Sequence, residues 1–174
     1  MHRTGWFSTM RCACWAVCAA AAFLAGCARG PGAEDTAAVA ARGTAEIEQF
    51  LAHVEQVFDA GDLDAAVAVF ADDAVILAQG APDAVGKAAI RSLYEQAMAQ
   101  AKLGVRFHTE EIVTRGDLGY ERGTYTLTLT DKGTGQVLAT QTNRHVHVFK
   151  RQSDGAWKTW RMMTNGAEPA PVSN

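Results

Sequence analysis

Between Gln100 and Val105 the spacing of the apolar residues changes, and it does not change back. Upstream, Ile47, Phe50, Leu51, Val54, Val57 and Phe58 recur at helical intervals, as do Ile90, Leu93, Tyr94, Ala97, Met98 and Ala101. Downstream the period is two, through "VRFHTEEIVT", "LGYERGTYTLTLT", "GQVLATQTNRHVHVFKRQ" and "AWKTWRMMT". Residues three or four apart share a helix face, and residues two apart share a strand face. Helices first and an alternating meander afterwards predict an α+β domain, with the helices laid over one face of a curved antiparallel sheet.

The punctuation agrees with the periods. Thr44 is placed to cap a first helix whose opening turn carries Glu46 and Glu48, the sign favoured at that end. Gly61 ends this helix, and Asp62 caps a shorter one with Leu63, Ala66, Val67 and Phe70 on one stripe. Asp72 and Asp73 then mark a corner before the buried run "AVIL" (74–77), because Asp side chains bond nearby amides and tolerate turns. "AQGAPDAVG" reads as a loop, and a third helix spans about 87–101. "RGD", "DKGTG" and "SDG" are tight turns between four strands, the third of them bent or bulged.

The first 27 residues have a different character. Arg3 and Arg11 precede an uncharged apolar run, and all four cysteines, Cys12, Cys14, Cys18 and Cys27, fall there. The run is roughly 13–15 residues, which suits a signal-peptide core and is short of the ~20 a spanning helix needs. Taking Arg3 and Arg11 from the 16 basic residues leaves 14 against 19 acidic ones for the remainder. An acidic body without a Lys/Arg cluster excludes nucleic acid as an expected partner. The cysteine-free body excludes a disulfide framework, a thiolate metal site and a cysteine nucleophile.

"LAGC" (24–27), at the end of the apolar run, resembles the bacterial lipobox. That resemblance implies that 1–27 is a lipoprotein signal peptide, that Cys27 is the lipid anchor, and that Cys27 begins the mature protein. Ala28 at the next position implies sorting to the outer membrane, facing the periplasm. Residues 28–43, rich in Ala and Gly with scattered charge, are expected to form a flexible tether, and 166–174 a disordered tail.

In the body, "AGDLDAAVAVFADDAVIL", "VGKAAIRSLYE", "RGDLGYERGTYTLT" and "FKRQSDGAWK" occur in this order. Together they resemble the nuclear transport factor 2-like superfamily, near its SnoaL-like and ketosteroid-isomerase-like domains, over 44–165. The resemblance implies a cone: three N-terminal helices packed on a strongly curved antiparallel sheet, an apolar pocket inside, and a homodimer through the outer face. Relatives of this kind carry Asp–x–Trp on the last strand, about where this chain has Met162 and Thr164.

The site candidates follow from residue type. An isomerase-like mechanism needs a carboxylate base opposite a hydrogen-bond donor. The possible bases are Asp72, Asp73, Glu110, Glu111 and Glu121, and the possible donors are Tyr94, Tyr120, Tyr125 and His147, with no spacing that selects among them. His145 and His147 lie two apart on one strand face, and His108 and Glu110 repeat that spacing on another strand. That arrangement admits a metal reading, but the sequence does not bring the two strands together, and no metal and no cofactor is assigned. The pocket candidates are Tyr94, Tyr125, His145, His147 and Trp160. The expected function is binding of a small apolar ligand, or a dimeric interaction module, by a membrane-tethered lipoprotein. The alternatives are an isomerase, cyclase or epoxide hydrolase acting through a pocket carboxylate, and a structural dimer module whose pocket is filled.

Overall fold

The computed structural model describes residues 36–167. The lipobox with Cys27 and the segment 168–174 lie outside the described residues. Helix α1 runs Thr36–Ala60, so it starts well before Thr44 and takes in residues expected to be tether. Two causes extend it. The run Ala37, Ala38, Ala40 and Ala41 has high intrinsic helix propensity. Gly43 is a contact point: it is buried, and a Cβ there would lie 2.7 Å from Thr114 Oγ1. The Thr114 hydroxyl in turn donates to the Ala40 carbonyl at 2.9 Å, docking the helix on the sheet. Gly43, Ile47, Leu51, Val54, Val57 and Phe58 form its buried stripe.

Helix α2 (Leu63–Ala68) is capped as expected, with the Asp62 carboxylate accepting from the Ala65 amide at 3.0 Å. Strand β1 (Phe70–Ala78) follows at once, so Phe70 belongs to the strand and not to the helical stripe. Asp72 and Asp73 are therefore not a corner before the strand. They sit in a bulge inside it, where Phe70 and Val75 oppose Thr159 and Arg161 and most of the intervening residues have no partner. Asp73 accepts from the Trp160 indole at 2.9 Å and Asp72 pairs with Lys87 at 2.7 Å, both in exposed positions.

The expected loop contains the two-residue strand β2 (Ala84–Val85), paired to β1, before α3 (Gly86–Gln100). The meander is β3 (Lys102–Arg115), β4 (Leu118–Thr130), β5 (Val137–Arg151) and β6 (Trp157–Gly166), the last including the first residue of the expected tail. The sheet order is β2-β1-β6-β5-β4-β3. One pairing departs from the expected antiparallel sheet: β1 runs parallel to β6. No hairpin joins those two strands, so nothing in the local sequence sets their relative direction.

The sheet is curved and unclosed, and the helices lie on its concave side to make a cone. Two features help bend it beside the interior. Strand β3 slips register between Thr109 and Glu111. Opposite that bulge, a Cβ on Gly123 would meet the His108 carbonyl oxygen at 2.3 Å, so only glycine lets the backbones come this close. Edge strand β3 is covered by α1: Glu55 accepts from the Phe107 amide at 2.7 Å, and Arg106 pairs with Asp59.

Candidate functional site

Strand alternation assigns the faces. Ile112, Glu121, His147 and Met162 are successive cross-strand partners from β3 to β6, on the row that looks into the cone. Val113, Tyr120, Val148 and Arg161 form the adjacent row, on the convex face. The parity that places Tyr125, Leu127 and Leu129 inward on β4 therefore places Glu121 inward too.

The interior is a cavity of about 400 Å³ between α1, α3 and the sheet. Its wall is mostly apolar, from residues such as Phe58, Phe70, Leu103, Val105, Leu127 and Met162. The polar groups on it are few: Tyr94, Tyr125, Gln100, Thr159, Thr164 and His147. Tyr94 packs edge-on against Phe58 with ring centroids 5.1 Å apart. Burial, with a smaller contribution from the Tyr125 phenol, drives the Tyr94 pKa far above the usual phenol range, so it stays a neutral hydroxyl. The Tyr125 hydroxyl lies 3.0 Å from Thr164 Oγ1, and burial raises its pKa against the opposing effect of that hydrogen bond.

Beside the cavity, and reaching its wall through His147, stands a buried polar cluster. Glu121 Oε2 lies 2.6 Å from His145 Nε2 and 3.6 Å from His147 Nδ1. All three side chains are nearly or completely buried, and the two imidazoles are 4.5 Å apart between centroids. Phe107 lies edge-on to both histidines at 5.6 Å, while Tyr125 approaches His145 and Phe149 approaches His147. Burial first, and the neighbouring His145 second, hold the His147 pKa well below the usual imidazole range. Glu121 Oε1, His145 Nδ1 and both nitrogens of His147 have no hydrogen-bond partner.

Of the five pocket candidates, Tyr94, Tyr125 and His147 line the cavity. His145 lies behind the wall, bonded to Glu121. Trp160 is not on the wall: it is the residue bulged out where β6 slips against β5, its indole bonded to Asp73 and stacked under Arg161 at 4.0 Å. Among the possible bases, Glu110 and Glu111 both bond Arg122 on the outer face, the bulge in β3 letting two consecutive acids reach one guanidinium. The partner that joins the histidines is therefore Glu121, and not His108 or Glu110. The alternation of β4 carried that signal, since Glu121 shares its parity with the apolar residues. Met162 and Thr164, where relatives carry Asp–x–Trp, both line the cavity without supplying an acid.

A cone-shaped α+β domain enclosing a mostly apolar hollow with a few polar groups on its wall is the class that fold and site define. The family model for the SnoaL-like domain matches residues 47–160, most of the chain, which therefore belongs to the SnoaL-like domain family. No curated protein matches it significantly. A ketosteroid isomerase-like protein from Erwinia carotovora atroseptica is 27% identical, with a TM-score of 0.60 over 72% of this chain and 96% of that one. A nuclear transport factor 2-like superfamily protein from Salmonella enterica serovar Typhimurium is 15% identical, with a TM-score of 0.64 over 77% of this chain and 97% of that one. A similar protein with a cystatin-like fold from Novosphingobium aromaticivorans is 21% identical, with a TM-score of 0.60 over 81% and 96%. The last two likenesses concern the fold.

Proposed function

We propose that this domain binds a small, mostly apolar molecule with one polar end inside its cone. The observation that carries the reading is the cavity itself: about 400 Å³ of space, walled by aliphatic and aromatic side chains, with its hydroxyls and His147 gathered on few positions. Ligand sites have this composition, an apolar wall for affinity and sparse polar groups for orientation. Titrating the mature chain with steroids, polyketides and fatty acids while following its thermal midpoint tests the reading. A binder raises the midpoint in proportion to the logarithm of its concentration above Kd. A panel in which no member moves the midpoint overturns it.

A second reading is favoured by one feature, the Glu121 carboxylate buried within hydrogen-bond reach of an imidazole beside the cavity. It makes the protein an enzyme acting on the polar end of the bound molecule. Product formation from a ligand found in the panel, lost in Glu121→Gln with binding retained, distinguishes the two.

We further propose that the domain is carried as a lipoprotein on the periplasmic face of the outer membrane, through lipid on Cys27. The support is the match of "LAGC" to a lipobox at the end of an uncharged apolar run. Metabolic labelling with a palmitate analogue should mark the wild-type chain, and labelling that survives Cys27→Ser rules the anchor out.

A further inference from the structure

We propose that Glu121, His145 and His147 form a binding site for one divalent first-row transition ion, of the zinc and iron class. Three observations meet at this point. The donor set is two imidazoles and one carboxylate, with one ligand atom from each lying within 4.8 Å of the others. Two histidines and a carboxylate are the combination that borderline ions such as Zn²⁺ and Fe²⁺ accept, while Mg²⁺ and Ca²⁺ prefer oxygen alone.

The spacing is near what an ion requires. Bonds of ~2.0–2.2 Å in a tetrahedral arrangement set neighbouring ligand atoms roughly 3.3–3.6 Å apart. His147 Nδ1 and Glu121 Oε2 are already 3.6 Å apart, and the 2.6 Å between His145 Nε2 and Glu121 Oε2 must open by less than about 1 Å.

The third observation points to a ligand directly. Four buried side-chain atoms of these three residues lack any hydrogen-bond partner. Buried polar atoms are nearly always satisfied, because each one left unpaired costs the desolvation of that group. One of the four, His147 Nδ1, is also a ligand atom in the spacing above, while the other two ligand atoms, Glu121 Oε2 and His145 Nε2, bond each other. The enclosing rings of Phe107 and Phe149 carry no hydrogen-bonding group, and the Tyr125 hydroxyl is engaged with Thr164 Oγ1 at 3.0 Å. His147 also lines the cavity, so an ion there would be reached through it and would border the space available to a ligand.

This inference goes beyond ligand binding and is tested without any apolar ligand. The untagged mature chain is stripped with a chelator and titrated with Co²⁺, followed by visible absorption, and with Zn²⁺, followed by calorimetry. One equivalent is expected, with ligand-field bands of a low-coordinate site. His147→Gln and Glu121→Gln should each weaken binding at least about a hundredfold, since even loss of a group supporting a ligand costs ~10–100-fold. His108→Ala, on the outside of β3, should change nothing. His145→Gln provides a second ligand variant if either of the first two fails to fold. No saturable binding by the folded wild-type chain, or binding that persists unchanged in the ligand variants, overturns the proposal. The panel of apolar molecules reports separately, so failure of one reading leaves the other standing.

Discussion

Glu121 faces His147 across strands β4 and β5, yet its carboxylate bonds to His145, the diagonal neighbour, at 2.6 Å. The pair is inaccessible to water, so each group depends on the other for its polar contacts. Removing one member of a buried pair leaves the other desolvated and uncompensated, at a cost of about 3–5 kcal/mol. Glu121→Ala is therefore expected to lose stability on that scale in urea denaturation with chelator present. Glu121→Gln keeps the shape and one hydrogen bond and should lose only about 1–2 kcal/mol. Equal losses for the two would mean that the carboxylate is not what the histidines need.

The cavity gives a second expectation. Ala97 lines it from α3 and is partly buried against the main core cluster. Ala97→Phe places a ring in the hollow, where burial of its surface offsets strain, so stability should stay within about 1.5 kcal/mol of wild type. Midpoint shifts with any apolar binder should disappear. A variant that folds and still responds like the wild-type chain would place the ligand elsewhere.

The architecture is legible in the sequence because it rests on period. The change of spacing near Val105 separates helices from meander, and Asp62 and the glycine turns mark element ends by local chemistry. What local chemistry cannot carry is a pairing between distant segments. The parallel β1–β6 pair, the bulge that takes up Asp72 and Asp73, and the docking of Gly43 on Thr114 each depend on a strand far along the chain. The site shows the same division. Residue type and parity admit Tyr125, His145 and His147, and the parity of β4 admits Glu121 as well, but only cross-strand register puts Glu121 opposite His147. Trp160 leaves the wall through a one-residue slip, which is enough to turn a side chain to the other face.

Two glycines are expected to resist substitution for reasons of contact. Gly43→Ala gains helix propensity worth about 1 kcal/mol. The added methyl, 2.7 Å from Thr114 Oγ1, must displace a short side chain that is tied to Ala40. Overpacking of this kind costs about 1–3 kcal/mol, so the net effect should be destabilising. Gly123→Ala meets the His108 carbonyl at 2.3 Å, and because backbone must move it should cost at least about 2 kcal/mol. Chemical denaturation of both variants checks the order. A stabilised Gly43→Ala would show that the helix before Ile47 is not held to the sheet.

Glu46 ties the first helix to the end of β5 and the start of β6 and confers a pH dependence of definite sign. Its carboxylate accepts from Arg151 and, at 2.9 Å, from the Trp157 indole, and these bonds, Arg151 first, lower its pKa from the ordinary value. The unfolded chain returns that carboxyl to about 4.3. The contribution to stability is therefore complete above the unfolded value and is lost as pH falls through the lower folded one. Because the carboxylate is partly exposed, solvent screens it, and Glu46→Gln should cost only about 1 kcal/mol at pH 7. The gap between wild type and variant should close as pH falls below about 4, since the protonated carboxyl of Glu46 and the amide that replaces it are then both neutral. Urea denaturation of both chains from neutral pH down through the carboxylate range measures it. A gap that stays constant through that range would mean that the charge on Glu46 contributes nothing to holding α1 against the β5–β6 hairpin.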